Sequence, residues 1–106
     1  MIILRSGENE EGTKEFYLFG LDSYEDFPKV VDQFTFLDAE ITEQVDGIYS
    51  RTALAVIGGM RFKIIYHEDV GIYAYATSGA VDETTTWLTK TLETVVENLN
   101  KSISQE

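Results

Sequence analysis

Two hydrophobic periods divide this chain. Phe27, Val30, Val31, Phe34 and Leu37 fall at i, i+3, i+4, i+7 and i+10, the single face of an amphipathic helix. Ser23 followed three residues later by Asp26 resembles a capping box, and Pro28 fits only in the first turn, where a missing N–H costs little, so the helix starts at Ser23 or, after a short turn, at Asp26. Over residues 39–78 the period falls to two. Residues 40–45 read as a rather polar strand, and Asp46-Gly47 as a two-residue hairpin turn. A strand over 48–57 meets a second turn at Gly58-Gly59. In the next strand Met60, Phe62, Ile64 and Tyr66 share one side, and Arg61, Lys63, Ile65 and His67 the other. Residues 67–71 turn into a last strand over 72–77. Three tight connections in succession predict an antiparallel meander.

The flanks complete the pattern. Residues 1–5 are apolar and β-branched, and residues 14–19 alternate, with Phe16 and Leu18 opposed to Glu15, Tyr17 and Phe19. The segment 6–13, rich in Gly and Glu, reads as a solvated loop joining two strands of a hairpin. At the other end Leu88, Leu92, Val95, Val96, Leu99 and Ile103 form a helical stripe, with Asp82 as N-cap and Glu83 at the positive helix end. The threonines between 84 and 94 are poor helix formers, so packing must supply much of that helix's stability. Trp87, beside Leu88, is expected at the border of the core.

The element order is therefore β-β-α-β-β-β-β-α. The expected fold is one α+β domain over residues 1–106, an antiparallel sheet with both helices packed on one face. The other face, open to solvent, would carry Arg61, Lys63 and His67. Tyr73 and Tyr75 share a strand side opposite Ile72, Ala74 and Ala76. Periodicity fixes that alternation but not which side is buried. Tyr17, Tyr49 and Tyr66 also fall in expected strands, and tyrosine is enriched at interfaces.

Composition narrows the functional classes. The chain has 106 residues, 43% of them hydrophobic, and no cysteine, which removes disulfides and thiolate metal sites. No apolar run is long enough for a membrane span, and the first residues lack a signal-peptide pattern, so a cytoplasmic location is expected. The formal net charge is −11. Residues 1–46 hold 12 acids against 3 bases, and residues 47–106 hold 7 against 5. No Lys/Arg cluster suited to a phosphate backbone exists, so neither nucleic acid nor a membrane is an expected partner.

Candidate chemistry is sparse. His67 is the only histidine. As a general base it would need an orienting carboxylate, from Glu68 or Asp69, and a nucleophile, and no Ser sits in a G-x-S-x-G setting. The acids 8, 10 and 11, and 22, 25 and 26, lack calcium-loop spacing. Gly58-Gly59 lacks the Lys and Ser/Thr of a phosphate loop. No catalytic residue, metal site or cofactor is expected.

In size, acidity and missing catalytic motifs the chain is similar in kind to bacterial immunity proteins and antitoxins, although no sequence motif carries the likeness. The resemblance implies a non-catalytic protein that binds a basic toxin, with electrostatics serving association rate and selectivity. A secretion-type chaperone and a small enzyme or ligand-binding domain are the alternatives, and a homodimer stays open. The expected partner-binding residues are Asp22, Glu25, Asp26, Glu40, Glu43 and Asp46, several of them expected on one rim of the sheet, together with Tyr73 and Tyr75.

Overall fold

The computed structural model describes residues 1–78 and 81–104. Its elements are β1 (Ile3–Glu8), β2 (Lys14–Phe19), a single 3-10 turn (Tyr24–Asp26), α1 (Phe27–Phe36), β3 (Glu40–Asp46), β4 (Ser50–Ile57), β5 (Met60–His67), β6 (Gly71–Ser78) and α2 (Val81–Ser104). The six strands form one antiparallel sheet in the order β1-β2-β6-β5-β4-β3. The β3–β6 meander forms as expected. The N-terminal hairpin joins it through β2 against β6, a pairing that no turn specifies.

Both helices cover the same face. Phe16, Leu18, Ala53, Ala55, Phe62, Ile64, Tyr66, Ile72, Ala74 and Ala76 point toward them and are buried. From above, α1 contributes Phe27, Val30, Val31 and Phe34, and α2 contributes Leu88, Leu92, Val95 and Leu99. Phe62 is the hub: its ring lies 4.9 Å from Phe34 and 5.4 Å from Trp87. Trp87 is the border residue expected of it. The small alanines of β4 and β6 leave room for these bulky helix side chains to reach the sheet. That packing decides what periodicity left open. Ile72, Ala74 and Ala76 lie inside, and Tyr73 and Tyr75 face out.

Four local expectations are corrected. The segment 6–13 is not all loop: β1 runs on to Glu8, paired with Lys14, and the turn is confined to residues 9–13. The Asn9 side chain closes that turn, accepting from the Glu11 and Thr13 N–H groups. The β3–β4 corner is not Asp46-Gly47. Asp46 pairs with Arg51, and the Gly47 N–H donates to the Ser50 carbonyl at 2.7 Å, so Ile48 and Tyr49 occupy the bend. The cause is Arg51, whose guanidinium grips Asp46 across the ladder and fixes the register. Tyr49 accordingly lies on a turn and not in a strand. Finally, α2 begins at Val81, which places Asp82 within its first turn rather than ahead of it. The side chain of Ile103 lies outside those described.

The remaining signals hold. Gly58 and Gly59 both have positive φ (53° and 81°), the conformation that a two-residue hairpin turn requires. The Ser23 N–H donates to the Asp26 carboxylate at 3.4 Å, one arm of the expected capping box. At the far end of α1, Asp38 adopts φ 71° and the Ala39 N–H reaches back to the Phe34 carbonyl, which closes the helix and starts β3.

Candidate protein-binding surface

The helix-free face of the sheet is built by alternation, interrupted by a bulge in β3. Every residue between two inward-pointing ones points out, and register stacks these into rows. One row crosses all six strands: Arg5, Tyr17, Tyr73, Ile65, Thr52 and Val45. The next holds Tyr75, Lys63, Leu54 and Glu43, and a third holds Arg61, Val56 and Glu40. Toward the other end of the sheet Ile3 and Phe19 pair on the same face. Among the described residues no helix covers this face: Val45 is 57% exposed, Ile3 48% and Phe19 45%.

The aromatics on this face form a stack. Tyr17 lies 6.1 Å from Phe19 and 5.8 Å from Tyr73, and Tyr73 lies 6.3 Å from Tyr75, with interplanar angles of 17° to 30°. Rings so stacked hold one another upright, which limits the rotamer freedom lost on contact with a partner. The Tyr17 hydroxyl donates to the Glu15 carboxylate at 2.7 Å. That hydrogen bond, then burial, then the charge of Glu15 push the Tyr17 pKa up to about 12. Burial raises that of Tyr73, with Glu15 and Tyr75 adding to it. Beside the stack, Leu54, Val56, Arg61, Lys63, Thr42 and Thr77 line a depression of about 480 Å³.

The expected acids fall into two groups. Glu40 and Glu43 lie three residues apart, yet both sit on the open face, because a bulge between Ile41 and Glu43 shifts the strand by one residue. Asp46, three further on without a bulge, points to the helix side. There it meets Arg51, which donates from Nε and Nη2 to its two carboxylate oxygens at 3.0 and 3.2 Å. The hydrogen bond to Arg51 holds the Asp46 pKa below its ordinary value, helped by Gln44 and the guanidinium charge. Asp26 is paired with Lys29 at 3.3 Å. Asp22 and Glu25 are exposed beside these two, near the 3-10 turn. The eight residues thus divide between two places. Glu40, Glu43, Tyr73 and Tyr75 belong to the open face, and Asp22, Glu25, Asp26 and Asp46 gather at the end of the sheet where α1 starts.

His67 closes the β5–β6 turn. Its Nδ1 accepts from the Asp69 N–H at 3.1 Å, and the Asp69 carboxylate is 4.0 Å from that same nitrogen. With Nδ1 already accepting, neither neighbour holds the ring as the carboxylate of a triad does. Among the described residues no three His, Asp or Glu are grouped to hold a metal ion, and no helix is long and apolar enough to cross a membrane.

Sequence reasoning did not reach Arg5, Leu54 and Val45 as members of this face. The Gly58-Gly59 turn alone would have paired Leu54 with Lys63. Tyr17 beside Tyr73 depends on the non-local β2–β6 pairing and had no local signal. Compared with known proteins, the chain matches no family model, no curated protein and no solved structure.

Proposed function

We propose that this chain is a non-catalytic protein-binding module of the immunity-protein or antitoxin kind, which blocks a basic protein by direct contact through the open face of its sheet. The observation that supports this is the uncovered row Arg5–Tyr17–Tyr73–Ile65–Thr52–Val45. Large stiff aromatics, aliphatic neighbours and a few charges are the composition of an interface centre. The formal charge of −11 favours a basic partner. Its long-range field speeds encounter, while the tyrosine face holds the complex.

The test places a photo-crosslinking amino acid at Tyr75, and separately at Thr86 on the exposed side of α2, in living cells. A crosslinked protein formed from position 75 and not from 86 is purified, and its affinity is measured. Tyr73→Ala is expected to weaken binding by about tenfold or more, as for an interface hot spot. Reversing charge at Asp22, Glu25, Glu40 and Glu43 together is expected to slow association and flatten its salt dependence. Crosslinking from 86 alone, or an unchanged affinity in Tyr73→Ala, would overturn the assignment.

A further inference from the structure

A second concave surface lies at the turn end of the sheet, on the helix side. Three segments far apart in sequence build it. The 3-10 turn supplies Tyr24 and Glu25, the β3–β4 turn supplies Gly47, Ile48 and Tyr49, and the end of β5 supplies Tyr66 and Glu68. The cleft measures about 410 Å³, room for a long side chain. Two hydrogen bonds to backbone carbonyls hold it in shape. The Tyr24 hydroxyl donates to the Gly47 carbonyl at 3.2 Å, and the Glu68 N–H donates to the Tyr49 carbonyl at 2.9 Å. The Tyr24 and Tyr66 rings meet edge to face at 5.8 Å.

Its chemistry is that of a cation receptor. Three tyrosines and two glutamates line one space, and no base is among its lining residues. Among the described residues neither Glu25 nor Glu68 takes part in an ion pair. The protein's own Arg51 already displays the mode of binding beside the cleft. Its guanidinium carbon lies 4.5 Å from the Tyr24 ring centre and 5.3 Å from that of Phe27, with Asp46 holding the edge. A planar guanidinium stacks on tyrosine and forks onto carboxylates better than an ammonium does.

We infer that this cleft receives an arginine side chain from the basic partner, as an anchor separate from the open face. The site rests on the reading of a basic protein partner, but its test does not use that protein. The probe is the capped tripeptide Gly-Arg-Gly, titrated into the isotope-labelled full chain by NMR, with the lysine and citrulline peptides as further arms. Saturable shifts are expected at the Tyr49 and Tyr66 rings and at the Glu25 and Glu68 amides, for arginine ahead of lysine. Citrulline keeps the shape without the charge and is expected to do nothing. Glu25→Gln with Glu68→Gln should weaken the arginine peptide by roughly tenfold, since both charge-assisted contacts are lost together. Trp87 fluorescence checks that this variant is folded. Shifts that do not saturate, an equal response to citrulline, or shifts confined to the open face around Glu40 and Glu43 would each overturn the inference. A failed titration beside a Tyr73→Ala variant that has lost its partner would remove the anchor and leave the proposed function standing.

Discussion

Phe62 and Tyr75 sit on neighbouring strands, one residue out of step, and the structure assigns them to opposite faces with opposite duties. Truncating each to alanine separates folding from binding. Phe62 is 1% exposed and lies between Phe34 and Trp87, where β5 meets both helices. Removing its ring deletes contacts that the surrounding backbone cannot close over, because sheet and helices fix it on all sides. Buried Phe→Ala changes of this kind cost ~3–5 kcal/mol. A domain of this size has about 5–15 kcal/mol to lose, so the variant should be folded but severely weakened. Tyr75 touches one ring, that of Tyr73, and pairs across the strand with Lys63. Cross-strand pairs are worth about 0.2–1 kcal/mol each, so Tyr75→Ala should cost roughly 1 kcal/mol. Urea denaturation followed by the fluorescence of Trp87 reads both. With a slope of about 2 kcal/mol/M, Phe62→Ala should lower the midpoint by roughly 2 M and Tyr75→Ala by roughly 0.5 M. Equal losses, or a loss under about 1.5 kcal/mol for Phe62→Ala, would refute the assignment of faces.

Two titrations test the electrostatics. The Tyr17 pKa of about 12 lies above the ordinary tyrosine value of 10.0, so the folded state favours the protonated phenol. That contribution to stability is complete below pH 10 and is lost as the pH rises through about 12. In an ultraviolet titration Tyr17 should ionise well above pH 10.0, and Glu15→Gln should bring it down; a titration curve that Glu15→Gln leaves in place would contradict the hydrogen bond. Asp46 behaves in the opposite sense, because Arg51 lowers its pKa from 3.8. Its contribution is present above that value and disappears as the pH falls through the folded one. The melting temperatures of wild type and Asp46→Asn should therefore differ near neutrality and converge in acid; a gap that stays constant with pH would mean that the ion pair contributes nothing.

The elements were legible because each follows from neighbours in sequence. The period-two run over residues 39–78 and the glycines at 58 and 59 specify a meander, and Phe27 to Leu37 a helix. Less legible was anything that depends on contact between distant segments. Asp46-Gly47 has the composition of a hairpin corner, but the grip of Arg51 on Asp46 moved the bend to Ile48-Tyr49. Alternation placed Tyr73 and Tyr75 on one side without saying which side, and only the packing of Phe34 and Trp87 from the helices onto Phe62 of the sheet made it the outer one. The division of the acids between two places was hidden for a similar reason. A single bulge in β3 turned Glu43 onto the same face as Glu40, and no periodicity announces a bulge.

The strand order also sets a timetable for synthesis. The four strands β3 to β6 close through short turns, so each can pair as soon as it leaves the ribosome. The β1–β2 hairpin leaves before the meander does, but its place in the sheet is beside β6, so it must wait for that strand. Its final lock is Asn100, which accepts from the Ile2 N–H at 2.8 Å and donates to the Ile2 carbonyl at 3.1 Å, across 98 positions of chain. Until then the hairpin carries Phe16 and Leu18 uncovered next to an unpaired strand edge, a combination that invites pairing with another nascent chain. Its polar neighbours, the charged turn that follows Glu8 and the lysine at 14, flank that edge during the wait.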